Sequence, residues 1–194
     1  DAMTTGSYNN LIGVAAGGAI TIGQYNVANG HGALSGNLVS NRNVAIGFQS
    51  LFTHNTVSST DSYNTAVGFK AGLSVTTGTL NTLVGGLAGD ALTSGDSNVA
   101  VGYEALTTQI VNGQNVAIGT EALKNQNVSG HGNNTAVGHQ AGLSVTTAVK
   151  NTLVGGNAGD AITTGGNNTV LGYDALGANT IGNSNVAIGK DAMK

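Results

Sequence analysis

The chain contains no cysteine, no proline and no tryptophan, and only 8% of its 194 residues are charged. Without cysteine there are no disulfides and no thiolate metal ligands. Lys and Arg number six and are scattered, so no basic patch forms to neutralise phosphates, and nucleic acid is not an expected partner. No run of about 18 apolar residues occurs, so membrane insertion is not expected. Aromatic residues make up 4%, too few to fill a thick core. Disorder is a poor reading as well, because 40% of the residues are apolar and charge is scarce. An ordered chain with a thin core of Ala, Val, Ile and Leu is expected.

What the sequence has is glycine, 32 of them, and a repeat. Blocks related to NVAIG (115–119) begin at Asn9, Asn26, Asn43, Asn64, Asn81, Asn98, Asn115, Asn134, Asn151, Asn168 and Asn185, in steps of 17, 17, 21, 17, 17, 17, 19, 17, 17 and 17. The first position of every block is Asn and the fifth is Gly. Examples are Asn64 with Gly68, Asn81 with Gly85, Asn98 with Gly102, Asn115 with Gly119, Asn134 with Gly138 and Asn151 with Gly155. The eighth position is Ala in every block but one, which has Ser50. The ninth runs Gly, Leu, Leu, Gly over four blocks, a super-repeat of 70 residues that brings NTLVGGLAGD (81–90) back as NTLVGGNAGD (151–160). The chain begins DAM and ends DAMK, each inside a block, as a segment of a longer array would.

Seventeen residues are too few for paired-helix repeats. The block is short, β-branched and flanked by Asn and Gly, which predicts a strand of about four residues per block. Glycine in a fixed column suggests positive φ or close packing, and Asn in a fixed column suggests a turn or an amide ladder between stacked coils. The expected fold is all-β: a parallel β-solenoid or β-roll of about eleven 17-residue coils, a single repeat array over 1–194, forming a rod on the order of 50 Å long. Positions two and four share one face of the strand and position three takes the other. Both faces are apolar, so one packs inside the coil and the other calls for a partner surface, most simply further copies of the chain.

The blocks NVAIGTEAL, NVAIGFQSL, NTAVGFKAG and NVAVGYEAL resemble the head repeats of trimeric autotransporter adhesins and the N-T-A-V-G-x-x-A-L arrays of phage tail fibres and bacterial surface proteins. The resemblance covers essentially the whole chain. It implies a left-handed parallel β-roll, a homotrimer, and a structural role as the shaft or head of an extracellular fibre on a cell surface or virion. Two departures stand out: the blocks are longer than those of the adhesin heads, and no heptad stalk or anchor-like segment is present.

No catalytic constellation emerges, and an enzyme is not expected. His31, His54, His131 and His139 lie in no catalytic motif, and solvated loop positions are the expectation for them. GGLAGD (85–90) resembles a calcium loop but has Ala88 at the third glycine. With Asp90 and Asp160 four coils apart, no second carboxylate is supplied, so neither a metal nor a cofactor is expected. An aromatic and histidine stripe runs through the sixth column. The candidate ligand surface takes Phe48, Phe69, Tyr103, His139 and Tyr173 from that stripe, with His54 and His131 from the two longer blocks. Two readings of the stripe stay open: a glycan- or receptor-binding adhesin surface, helped by the insertions around 53–62 and 125–132, or plain packing between coils or chains. Thr76, Thr93, Thr146 and Thr163 share one column, which raises an ice-binding solenoid, but Ile110 and Asn127 interrupt the array. Self-association into a homotrimer or an end-to-end filament is the partner expectation.

Overall fold

A computed structural model describes residues 4–111 and 113–194. The DAM opening of the sequence therefore lies outside the described residues. Each block contributes one strand: β1 (Asn10–Ile12), β2 (Val27–Asn29), β3 (Val44–Ile46), β4 (Thr65–Val67), β5 (Thr82–Val84), β6 (Val99–Val101), β7 (Val116–Ile118), β8 (Thr135–Val137), β9 (Thr152–Val154), β10 (Thr169–Leu171) and β11 (Val186–Ile188). All pair in parallel and in chain order, one sheet of eleven strands, with each residue opposite its equivalent in the next block. This is the expected β-solenoid. The strands span three residues rather than about four, because the fifth-column glycine turns the chain at once: its φ runs from +116° at Gly189 to +143° at Gly138.

That column needs glycine for a second reason. A Cβ on Gly119 would strike the carbonyl oxygen of Gly138 in the next coil, and a Cβ on Gly68 that of Gly85. Close approach and left-handed φ act at the same place, so the column admits no side chain.

The stack is held around the whole perimeter. Inside the strand column Gly47 N–H donates to the Asn29 carbonyl at 2.8 Å, and at the corners Gln49 donates to His31 and Leu34 to Ser50, both at 2.9 Å. The first column adds a side-chain ladder. Each Asn Oδ1 accepts the backbone N–H of the Asn one coil on, from Asn9 and Asn26 at 2.9 Å to Asn168 and Asn185 at 2.9 Å. Most of the ladder amides also donate to a turn carbonyl 14 residues on, as Asn81 Nδ2 does to Gly95 at 2.8 Å. Of the two roles expected for this column, the ladder is the one that spans the rod.

The core is one residue thick. Third-column Ala28, Ala45, Ala66, Leu83, Ala100, Ala117, Ala136, Leu153 and Val170 point inward and are fully buried, and eighth-column alanines line the opposite wall. Columns nine and twelve then share one remaining space. Where column nine is Gly, column twelve is apolar and buried: Ile20, Val75, Leu92, Val145, Ile162. Where column nine is a buried leucine (Leu34, Leu51, Leu106 or Leu123), column twelve is a buried polar residue (Asn37, His54, Gln109 or Gln126). The spacing explains the exchange: a Cβ on Gly89 would lie 2.8 Å from Leu83 Cδ2 and 2.9 Å from Leu92 Cδ1. One large apolar side chain fits per coil at this place, from either column.

Candidate functional site

With the third column inside, columns two and four face out along the sheet. The fourth column reads Ile12, Asn29, Ile46, Val67, Val84, Val101, Ile118, Val137, Val154, Leu171 and Ile188, and the second is Val, Thr or Asn throughout. Neither column holds a charged residue. Ile118 is 37% exposed, Leu171 49% and Ile188 64%. The result is an uncharged strip along the rod, apolar in the fourth column except at Asn29 and mixed valine and threonine in the second.

The sixth column flanks this strip. Phe48, Phe69, Tyr103, His139 and Tyr173 are all exposed there. His31 stacks on Phe48 with centroids 5.3 Å apart, and Phe48 on Phe69 at 5.5 Å, both nearly parallel. Lys70 Nζ lies 5.2 Å from the Phe69 centroid. Farther along, a hydrogen bond with the Glu104 carboxylate pushes the Tyr103 phenol up. Lys124 bridges Glu104 and Glu121 at 2.6 Å each, and these hydrogen bonds raise its own affinity for the proton.

A second ladder runs before the first-column asparagines. Tyr8 stacks on Tyr25 at 4.9 Å, and the Arg42 guanidinium lies 5.0 Å from the Tyr25 ring and 5.7 Å from the Tyr63 ring. Arg42 also pairs with Asp61 at 2.9 Å, tying down the first insertion. That insertion is further fixed by the Ser40 and Thr56 hydroxyls, 2.8 Å apart, and its tip at Val57, Ser58 and Ser59 is exposed. His131, in the second insertion, is exposed and forms an isolated parallel bridge with Gly113.

His54 is a correction. It was expected on the ligand surface, yet its side chain is fully buried. It occupies column twelve, the inward position opposite Leu51, so the coil geometry turns it into the core. Neither ring nitrogen has a hydrogen-bond partner of good geometry. Burial lowers its pKa to about 4, with only the Thr76 backbone favouring the charged form. Asp90 and Asp160 are also partly buried. Each has one buried carboxylate oxygen without a partner, and burial raises both pKa values. Among the described residues no three acidic or histidine side chains converge as a metal site, and no helix is long and apolar enough to cross a membrane.

The threonine column is engaged with the rod itself. Thr76 Oγ1 donates to the Thr93 carbonyl at 3.1 Å, Thr93 to Ile110 at 2.8 Å and Thr163 to Thr180 at 3.0 Å. Each hydroxyl proton is therefore turned along the stack rather than out to solvent. Compared with protein-family models, curated proteins and solved structures, the chain matches none. The functional reading accordingly rests on geometry.

Proposed function

We propose that this chain is the stiff shaft or head of an extracellular fibre, displayed on a cell surface or virion, and that its copies bundle side by side through the outer face of the sheet. The observation that carries the reading is the uncharged strip of columns two and four, with its nearly continuous apolar fourth column. Exposed contiguous apolar surface of this extent marks an association surface, because isolated in water it loses the hydrophobic stabilisation its burial would give. The strip runs in register over about 50 Å, eleven coils at the ordinary interstrand spacing, which suits a parallel bundle of identical rods. Three copies per bundle is the number that the resemblance to adhesin-head repeats implies.

The role is mechanical. Stability comes from contacts between neighbouring coils, repeated along the rod. The reading assigns no catalysis and no cofactor. An ice-binding solenoid is less well supported, since the threonine hydroxyls donate along the stack. Images of the protein in negative stain test the proposal: short rods thicker than a single coil support it. Thin single rods would refute side-by-side bundling. Long filaments of single-coil width would also refute it, and would point to stacking through the free edges of β1 and β11.

A further inference from the structure

We propose that the rod carries two equivalent slots for a pyranose ring, one between Phe69 and Tyr103 over Gly86, the other between His139 and Tyr173 over Gly156. The proposal uses the sixth column and does not rest on the bundling assigned to columns two and four.

Where neighbouring coils both carry a ring, the rings cover each other. His31, Phe48 and Phe69 stack within 5.3 to 5.5 Å at interplanar angles of 10° to 13°, so their shared faces are closed and only edges meet solvent. A guest cannot stack on that part of the stripe. A ring is missing between two rings at Gly86, Thr120 and Gly156, and at the two glycines no side chain takes its place.

The geometry there repeats. A Cβ on Gly86 would have Tyr103 Cδ2 at 3.4 Å and Cε2 at 3.9 Å, and no atom of Phe69 within 4 Å. A Cβ on Gly156 would have Tyr173 Cδ2 at 3.4 Å and Cε2 at 3.6 Å, and no atom of His139 within 4 Å. Each slot thus has a glycine floor and aromatic walls two coils apart. The backbone does not require either glycine: neither lies in the left-handed region, unlike the fifth-column glycines beside them. The same column takes Val14, Thr120 and Lys190 in other coils. What glycine does at these two positions is leave no side chain of its own between the rings.

Dimensions select the guest. Two coil steps place the backbone positions that carry the walls about 9.6 Å apart. Carbon atoms pack at about 3.5–4.0 Å, so a flat heteroaromatic group would contact both walls only at about 7–8 Å. A puckered pyranose, with hydrogens on both faces, fills the larger gap and presents C–H groups to both rings. Polar side chains at the rim can meet its hydroxyls. In the first slot this is Lys70, which already lies over Phe69 and must swing aside. In the second it is Gln140, whose Nε2 donates to Glu121 at 2.7 Å. The slots lie four coils apart, about 19 Å along the rod. An extended oligosaccharide that reaches both gains from the second contact being intramolecular.

The test is calorimetric titration of the full chain with cellohexaose, chitohexaose and maltohexaose, before and after closing the slots with Gly86→Phe and Gly156→Phe. A ring at either position should continue the stack as Phe48 does, so the fold is retained, which circular dichroism checks. The expected result is binding of at least one hexasaccharide, weakened at least tenfold in the double variant and less in each single one. Tyr103→Ala with Tyr173→Ala, which removes one wall of each slot, should weaken it in the same way. No binding by the unmodified protein at millimolar sugar would overturn the proposal, and so would binding unchanged by closing the slots. If closing them instead lowers the mass of the assembly, the slots hold a side chain of another copy and the proposal falls, while bundling stands.

Discussion

Asn81 Oδ1 accepts the backbone N–H of Asn98 at 3.0 Å and its side-chain amide at 3.2 Å, while Asn81 Nδ2 donates to the Gly95 carbonyl at 2.8 Å. One fully buried side chain thereby joins two coils and closes a turn. Replacing it with Ala removes the acceptor of the Asn98 N–H and the donor to the Gly95 carbonyl. Each of these losses costs about 1–3 kcal/mol, so Asn81→Ala should lower the unfolding free energy by roughly 2–6 kcal/mol. Urea titration measures this, and a loss below about 0.5 kcal/mol would show that the ladder does not hold the coils.

Glycines of adjacent columns should respond in opposite ways. Gly119 combines φ +132° with a Cβ position blocked by the Gly138 backbone, whereas Gly86 has ordinary φ and its Cβ meets only Tyr103 at 3.4 Å. Gly119→Ala should cost more than about 3 kcal/mol, and Gly86→Ala less than about 0.5. Thermal melting of the two variants tests the difference. Equal shifts would mean that neither φ nor interstrand approach governs the fifth column.

The exchange between columns nine and twelve predicts coupling. Gly89→Leu alone puts a second large side chain against Leu83 and Leu92 and should cost about 1–3 kcal/mol. Writing the pattern of the next coil in full, with Leu83→Ala and Leu92→Gln added, should recover most of that loss, since the coil then matches Ala100, Leu106 and Gln109. Denaturation of the single and triple variants reads the coupling. A triple variant less stable than the single one contradicts shared space.

His54 gives the rod an acid-sensitive point. Its pKa falls from the ordinary 6.5 to about 4 in the fold, so the fold favours the neutral ring. The stability tied to it is fully present above pH 6.5, declines as pH falls from there to about 4, and then levels off. The total is on the order of 3 kcal/mol. The raised pKa values of Asp90 and Asp160 act with the opposite sign, stabilising as pH falls, so the comparison must be made against His54→Gln, which writes in the residue that Gln126 supplies in the matching coil. The variant should lack the decline between pH 6.5 and 4. An identical pH profile would show that His54 is not held neutral by the fold.

Much of this architecture is legible in the chain itself. The spacing of Asn64, Asn81 and Asn98 gives the coil, and Ala66, Leu83 and Ala100 mark the inward face. Less visible is the left-handed backbone at non-glycine residues. Tyr25, Arg42, Leu80 and Lys150 all sit at φ between 57° and 60° just before a first-column Asn. No propensity assigns that region to such side chains. The ladder imposes it, because each following asparagine N–H must face the coil below. His54 escaped for a related reason: a histidine beside an insertion reads as a loop residue until column twelve is known to point inward. The slots were hidden in the same way. Glycine is so common here that Gly86 and Gly156 look like turn formers, and only their ordinary φ shows otherwise.

Bundling through the outer strip is tested most directly by the mass of the assembly in solution, measured by light scattering on the native chain and on Val67→Lys with Val101→Lys and Val137→Lys. These fourth-column residues face outward, so lysine there leaves the coil core untouched. The expected result is a discrete multiple of 19.0 kDa, three chains on the present reading, for the native protein. The lysine variant should then run as a monomer with unchanged β-sheet circular dichroism. A native protein that runs as a 19.0 kDa monomer, or a lysine variant that keeps the native mass, would contradict it.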